Sequence, residues 1–155
     1  MNIIPLKSVG PFSFEDSIDV VLNKGVLLDF QKTKKTVIDD VYPVLYSLRL
    51  NLNIVFNVNG DKIRYFEVFK KGLIFEKNDF FVLGFSESFK LCQRFDSKIL
   101  KDDDGFVSRK LGIVVGRKLV NGKYGNMIES ILLASDGYFS DPKISPDDFL
   151  KILEE

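Results

Sequence analysis

Strict alternation of apolar and polar residues marks the clearest element of this chain. Between residues 48 and 58 every second residue is apolar, in the order Leu48, Leu50, Leu52, Ile54, Phe56 and Val58. Side chains of a strand point alternately to its two faces, so the pattern predicts a strand with one face in a core. Asn59-Gly60 follows, and then a second apolar run over residues 62–69. Asn-Gly suits a type I′ turn, so we expect a hairpin near the centre of a sheet, with Leu50, Leu52, Ile54 and Phe56 buried.

Helical spacing appears in three other places. Ile18, Val21 and Leu22 share one helical face, Asp16 or Ser17 can cap that helix, and Gly25 can end it. A middle helix is predicted near residues 86–95, capped by Ser86 or Ser88, with a mostly apolar side formed by Phe85, Phe89, Leu91, Cys92 and Phe95. A short C-terminal helix is predicted after Ser145-Pro146, with Phe149, Leu150, Ile152 and Leu153 facing the sheet.

The remaining pattern is that of strands and turns. A short strand or extended segment is predicted at residues 9–14, a turn and strand at 70–79, and strands at 26–30, 111–115 and 127–134. A polar turn is predicted at 31–36, a charged loop at 96–109 and a Gly/Asn-rich connection at 116–126. Pro43 is expected to break any regular element that passes through it. Hairpins dominate, so we predict one α+β domain over residues 1–155, with a mainly antiparallel sheet of about six strands.

Composition removes several kinds of chemistry. The 155 residues include no histidine and one cysteine, so catalytic triads and cysteine-based zinc clusters are excluded. Lys plus Arg equals Asp plus Glu, at 22 each, which argues against a general nucleic-acid-binding protein. Neither a signal peptide nor a membrane span is recognisable, so we expect a cytoplasmic protein. Cys92, on the apolar side of a helix, is interpreted as a buried structural thiol. We predict no cofactor and no metal.

Charged clusters are the remaining candidates for a site. Asp102, Asp103 and Asp104 form the one acidic cluster in a predicted loop, but their spacing does not fit a calcium-binding loop. The basic clusters are Lys32, Lys34 and Lys35, and Arg117 with Lys118. Charged turns are also the ordinary condition of a soluble sheet, and no pair of carboxylates has a catalytic spacing.

Two stretches resemble a group of small bacterial proteins. The opening VGPFSFEDSIDVVL and the later SRKLGIVVGRKL with IESILLASDGYFSDP are similar to the first and closing segments of immunity proteins from polymorphic toxin systems, including contact-dependent growth inhibition. Such proteins often have glycine where this chain has Glu15. The resemblance implies a cytoplasmic protein without chemistry of its own, which binds and blocks one toxin domain.

Three hypotheses follow. The first is an immunity protein that occludes a toxin, with a nuclease as one candidate, using Asp102, Asp103 and Asp104 as carboxylates, Phe106 as an apolar anchor and Glu87 nearby. The second is a small enzyme whose site uses only Asp, Glu, Lys or Tyr. The third is a nucleic-acid-binding sheet at residues 62–72, although alternation there places aromatic residues on both faces, as burial on both sides would.

Overall fold

An eight-stranded antiparallel sheet organises the part of the chain that the computed structural model describes, residues 1–25 and 28–140. Its strands are β4 (Gln31–Val37), β5 (Asp40–Ser47), β6 (Leu52–Phe56), β7 (Ile63–Val68), β10 (Leu100–Lys101), β11 (Gly105–Ser108), β12 (Ile113–Val120) and β13 (Lys123–Ala134). They run in the order β10-β11-β12-β13-β7-β6-β5-β4. The α+β class and the antiparallel pairing are confirmed, whereas the expected number of about six strands is too low.

The smaller elements lie outside this sheet. Strands β1 (Ile3–Ile4), β2 (Ser8–Val9) and β3 (Phe12–Ser13) form a three-stranded sheet, and β8 (Ile74–Phe75) pairs with β9 (Asn78–Asp79). The helices are α1 (Ile18–Lys24), α2 (Phe80–Leu83) and α3 (Phe85–Gln93), followed late in the chain by a 3₁₀ turn at Tyr138–Ser140. The short strand or extended segment expected at residues 9–14 is interrupted by a turn at Gly10, whose φ is +55°, so that β2 ends before it and β3 begins after it.

Strands in segments predicted as a turn and as a charged loop account for part of the difference in strand number. The predicted turn at residues 31–36 is the edge strand β4, and the predicted charged loop contains β10 and β11. Six of the seven residues of β4 are exposed, so no buried face imposes an alternating pattern on its sequence. Strand β4 forms through its pairing with β5 although it is exposed, whereas all four residues of β11 are buried as well as paired.

Two expectations next to β4 are also wrong. Residues 28–30 of the predicted strand at 26–30 are not in a strand, and residues 26 and 27 lie outside the described residues. Pro43 lies within β5 and does not interrupt it. The pairing of β5 with β6 begins at Val44, so Pro43 is at a position where β5 pairs with β4 alone.

The central hairpin is confirmed, with a different turn. Strands β6 and β7 hold the fifth and sixth places among the eight, and Leu52, Ile54 and Phe56 are buried as expected. Leu50 is only partly buried. The amide of Asn57 donates to the carbonyl of Lys62 at 2.9 Å, so the loop is longer than two residues. Gly60 has a φ of +69° whereas Asn59 does not have a positive φ, which excludes the predicted type I′ turn.

The type I′ signature occurs instead at the tip of the hairpin formed by β12 and β13. Val120 pairs with Lys123, and the two residues between them, Asn121 and Gly122, have φ angles of +52° and +75°. The Gly/Asn-rich connection predicted at residues 116–126 is therefore mostly strand. Gly116 and Gly125 lie within the strands, and two shifts in pairing register occur between Gly116 and Leu119.

The residues that cap the helices were only partly predictable. Ser17 caps α1 by accepting a hydrogen bond from the amide of Val20 at 3.3 Å, and Gly25 ends the helix, as predicted. The middle helix α3 follows Gly84 (φ +80°), so neither Ser86 nor Ser88 is its cap. The predicted C-terminal helix lies outside the described residues.

Both faces of the large sheet carry buried apolar residues. The larger cluster joins one face to the helices and to the N-terminal strands, and it includes Phe12, Val21, Phe66, Phe80 and Phe106. The second cluster lies on the other face and includes Tyr42, Val55, Tyr65, Leu132 and Tyr138. Tyr65 and Phe66 are adjacent in β7 and belong to different clusters, as the alternation predicted. Their rings are therefore not available to stack on nucleic-acid bases.

Candidate protein-binding surface

Asp102, Asp103 and Asp104 form the tight turn that joins β10 to β11, which we name the acidic turn. The amide of Asp102 donates to the carbonyl of Gly105 at 3.0 Å. Its side-chain Oδ1 accepts from the amides of Asp104 and Gly105 at 2.8 and 3.0 Å. This carboxylate therefore closes the turn, while Asp103 is exposed and Asp104 is partly exposed.

Close packing against β12 fixes the base of the acidic turn. Gly105 pairs with Gly116, and a Cβ on Gly105 would lie only 2.1 Å from the carbonyl oxygen of Val115. Gly105 is needed for this close approach of β11 to β12. The amide of Arg117 also donates to the carbonyl of Asp104 at 2.8 Å. The acidic turn is thus a rigid feature of the sheet.

Arg117 clamps the turn from the side. Its Nε donates to the carbonyl of Gly125 at 2.9 Å and its Nη1 to that of Asp103 at 3.4 Å. The guanidinium lies 4.4 Å from the centre of the Phe85 ring, a cation–π distance. This basic residue therefore has a structural role.

Phe106 is fully buried beneath the turn. Its ring centre lies 5.5 Å from those of both Phe85 and Phe89, and none of its side chain is exposed. In this conformation Phe106 anchors the turn to the core and offers no area to a partner. Glu87, in the first turn of α3, forms an exposed ion pair with Lys90 at 3.1 Å.

The hairpin beyond Gly116 provides apolar surface next to the turn. We name this segment, residues 117–127, the arm. Leu119 and Met127 are 53% and 60% exposed. At the base of the arm, Asn126 accepts a hydrogen bond from the amide of Ser86 at 2.8 Å, which ties the arm to the start of α3.

A groove of about 310 Å³ lies between the acidic turn and the arm. It is lined by Asp104, Gly116, Arg117, Leu119, Tyr124, Glu129 and Ser130. The lining mixes two carboxylates, one guanidinium and one exposed leucine. Such a mixture of charged and apolar groups suits contact with another protein. The alternation of apolar and polar residues along the sequence could not indicate this groove. Asp104 and Glu129 are distant in the chain, and only the pairing of β12 with β11 and β13 brings them together.

A second groove, of about 280 Å³, is lined by residues of both clusters, among them Phe14, Ile63 and Tyr138. Arg64 lies there between the rings of Tyr42 and Tyr138, at 4.7 and 5.1 Å. Burial raises the pKa of the Tyr138 hydroxyl far above its ordinary value, and does the same to the pKa of the Tyr65 hydroxyl. Neither phenol is thereby suited to act as a base near neutral pH.

The described residues contain little that resembles a reactive centre. Cys92 is buried, as predicted, and burial together with the charge of Asp96 raises the pKa of its thiol to about 12. Across residues 1–25 and 28–140, no three His, Cys, Asp or Glu side chains come together in a way that would hold a metal ion. Within the same residues, no helix is long and apolar enough to cross a membrane.

Comparisons with protein-family models, with curated proteins and with solved structures gave no significant match. A functional proposal for this chain therefore has to come from its own residues.

Proposed function

We propose that this protein acts by binding another protein, and specifically that it is an immunity protein that occludes a cognate toxin domain. The observation that supports the proposal best is the rigid acidic turn beside the exposed apolar residues of the arm. The resemblance of two sequence segments to bacterial immunity proteins gives the partner its class. In this proposal the protein works in the cytoplasm and without catalysis.

The carboxylates of this surface indicate which kind of partner it would bind. Asp103 and Asp104 lie at the turn, and Glu129 lines the adjoining groove. A toxin that cleaves nucleic acid needs a basic cleft for phosphate, and these carboxylates would pair with the basic residues of such a cleft. Opposite charges also steer two proteins together and raise the association rate. We therefore favour a nuclease as the partner.

Apolar contact would supply the buried part of the interface. Phe106 cannot do this from the core, so we assign the role to Leu119 and Met127 of the arm. Exposed apolar side chains beside charged ones are typical of a patch whose centre becomes dry on binding. The acidic turn and the arm would then act together, one through charge and the other through burial.

The proposal is tested with the C-terminal domain encoded by the gene immediately upstream, mixed with the purified protein. We expect a stable complex and loss of the toxic activity of that domain. Replacing Leu119 and Met127 together by serine should weaken binding by about tenfold or more, because burial of each side chain contributes about 1.5–3 kcal/mol.

A matched control distinguishes a specific contact of the arm from a general effect of removing exposed apolar side chains. Ile38 and Leu48 are 74% and 78% exposed and lie away from the arm in the chain. The Ile38→Ser/Leu48→Ser variant should bind like the unmodified protein. Equal loss of binding in both double variants, with unchanged melting temperatures, would contradict the assignment of the arm. Absence of a complex would contradict the immunity function with this partner.

A further inference from the structure

The strand at the other end of the sheet has an open edge. In the part of the chain that the structure describes, β4 pairs with β5 on one side and ends the sheet on the other. Its seven residues form seven consecutive pairs with β5, without any shift in register. The main chain of β4 is therefore a regular and fully extended template.

Within the described residues, this edge lacks most of the features that protect edge strands. Proteins usually shorten such strands, insert proline or a bulge, or cover them. The opposite edge, β10, has only two residues, whereas β4 has seven, with no proline and no bulge. Six of the seven are exposed. Lysine side chains are the one protective feature present, and they repel a second basic strand but attract an acidic one.

The unpaired main-chain groups can be assigned by alternation. Val37 and Asp40 close a hairpin of two residues, Ile38 and Asp39, and the closing pair of such a hairpin exchanges hydrogen bonds. By alternation, the amides and carbonyls of Val37, Lys35, Thr33 and Gln31 then point towards β5. The outward groups belong to Lys32, Lys34 and Thr36.

The charges of β4 indicate which side chains an added strand would carry. The strand carries Lys32, Lys34 and Lys35 and no acidic residue. Lys35 is paired with Glu67 at 3.2 Å on one face of the sheet. Lys32 and Lys34 alternate with it and share the other face. Two exposed lysines in line, spaced by two residues, match carboxylates at alternate positions of a neighbouring strand.

We propose that β4 is a docking edge for an extended acidic segment of another protein, which adds to the sheet as a further strand. Its main-chain hydrogen bonds would be to Lys32, Lys34 and Thr36, and its carboxylates would contact the side chains of Lys32 and Lys34. The edge lies at the opposite end of the strand order from the acidic turn. It is therefore a second surface, independent of the one assigned to the toxin.

The test uses two synthetic peptides, acetyl-TEVEVET-amide and its lysine counterpart acetyl-TKVKVKT-amide, added to the isotope-labelled full chain. The acidic peptide should bind saturably and slow amide exchange at Lys32, Lys34 and Thr36, because those amides gain acceptors. The lysine peptide should not bind. Absence of saturable binding by the acidic peptide, or equal binding of both peptides, would overturn the proposal.

Two variants examine the two parts of the contact. Thr36→Pro removes an outward amide without changing charge, and Lys32→Glu/Lys34→Glu reverses the charge of the edge. Each should weaken peptide binding by about tenfold or more. The exposed pair Lys71→Glu/Lys98→Glu, with the same change in net charge, should leave it unchanged. If Thr36→Pro does not fold, the charge variants and the exchange pattern decide.

Self-association is the competing use of an open edge. If the unmodified protein is a dimer by light scattering, and Lys32→Glu/Lys34→Glu or a folded Thr36→Pro makes it a monomer, the occupant is a second copy of this chain. That result would overturn the proposal of an acidic partner. A monomer that binds the acidic peptide supports it.

Discussion

Asp96 shows how a single buried carboxylate holds two elements together. Its Oδ2 accepts from the hydroxyl of Ser108 at 2.7 Å and its Oδ1 from the amide of Lys98 at 2.9 Å. Ser108 in turn accepts from the amide of Leu111 at 3.2 Å. The network connects the residues after α3 to the turn between β11 and β12, at the end of β11 opposite to the acidic turn. Asp96 thus holds this part of the fold together and is not part of the proposed binding surface.

The pKa of Asp96 predicts a pH dependence of stability. Burial alone would raise this pKa, but the hydrogen bonds from Ser108, Lys98 and Lys110, together with the charge of Lys110, lower it. A folded-state pKa below the unfolded value means that ionised Asp96 stabilises the fold at pH values above about 4. This stabilisation is lost as the pH falls below that value and through the folded-state pKa.

Urea unfolding of the unmodified protein and of Asp96→Asn measures this effect. At neutral pH the variant should lose about 1–3 kcal/mol, because a buried charged hydrogen-bond network is disrupted. The difference should shrink as the pH falls below about 4. Asp61→Asn, at an exposed position, serves as the control and should differ little at any pH. A loss in Asp96→Asn that does not change with pH would contradict the role of ionisation.

Phe56 represents the buried face of the central hairpin. It is fully buried, whereas Leu48, at the start of the same alternating pattern, is 78% exposed. Phe56→Ala should lower the free energy of unfolding by about 3–5 kcal/mol, since it removes a core ring and leaves a cavity. Leu48→Ala should change it by less than about 0.5 kcal/mol. Similar losses in the two variants, measured by denaturant unfolding, would show that this face is not the core.

At the scale of elements, the approach of β11 to β12 is the most restrictive contact near the binding surface. Gly105 has no room for a side chain against Val115, whereas Gly125, in the arm, has open space around its Cβ position. The two glycines therefore form a natural comparison. One is required by packing, and the other lies where a methyl group meets nothing within 4 Å.

Gly105→Ala should destabilise the protein by about 1–3 kcal/mol, because the added methyl group forces β11 away from β12. Gly125→Ala should be close to neutral, within about 0.5 kcal/mol. Melting temperatures and urea midpoints of both variants provide the measurement. If Gly105→Ala melts like the unmodified protein, the turn is more pliable than this packing indicates.

The same elements explain what sequence patterns could predict. The hairpin of β6 and β7 was predictable because Leu52, Ile54 and Phe56 lie on one buried face of β6 and leave an alternating pattern in the sequence. Helix α1 was predictable because Ser17 and Gly25 mark its ends. Strand β4 was missed because it is exposed on nearly all sides, and the β12–β13 connection because its glycines suggested a loop. The turn motif Asn-Gly occurs twice, at residues 59–60 and 121–122. It closes a two-residue turn only at 121–122, because there the flanking residues Val120 and Lys123 pair directly.

The whole molecule places the two proposed binding surfaces at opposite ends of the sheet. The strand order places the acidic turn and the arm towards one end of the sheet and the basic strand β4 at the other end. The cluster Asp102, Asp103 and Asp104 was predictable from sequence as a candidate. Its rigidity, the burial of Phe106 and the groove with Glu129 were not, because they depend on contacts between residues distant in the chain. With 22 basic and 22 acidic residues, net charge hides this separation entirely.

The central claim is that the acidic turn steers a basic partner protein. The most direct test is the association rate constant with the cognate toxin domain, measured at about 50 and 200 mM salt. Asp103→Ser/Asp104→Ser keeps Asp102, which holds the turn, and Asp61→Ser/Glu76→Ser removes two exposed acids elsewhere. We predict that the rate for the unmodified protein and the control falls with salt. The turn variant should associate more slowly at low salt, with a flatter salt dependence. Identical rates and salt dependence in all three proteins would contradict the claim.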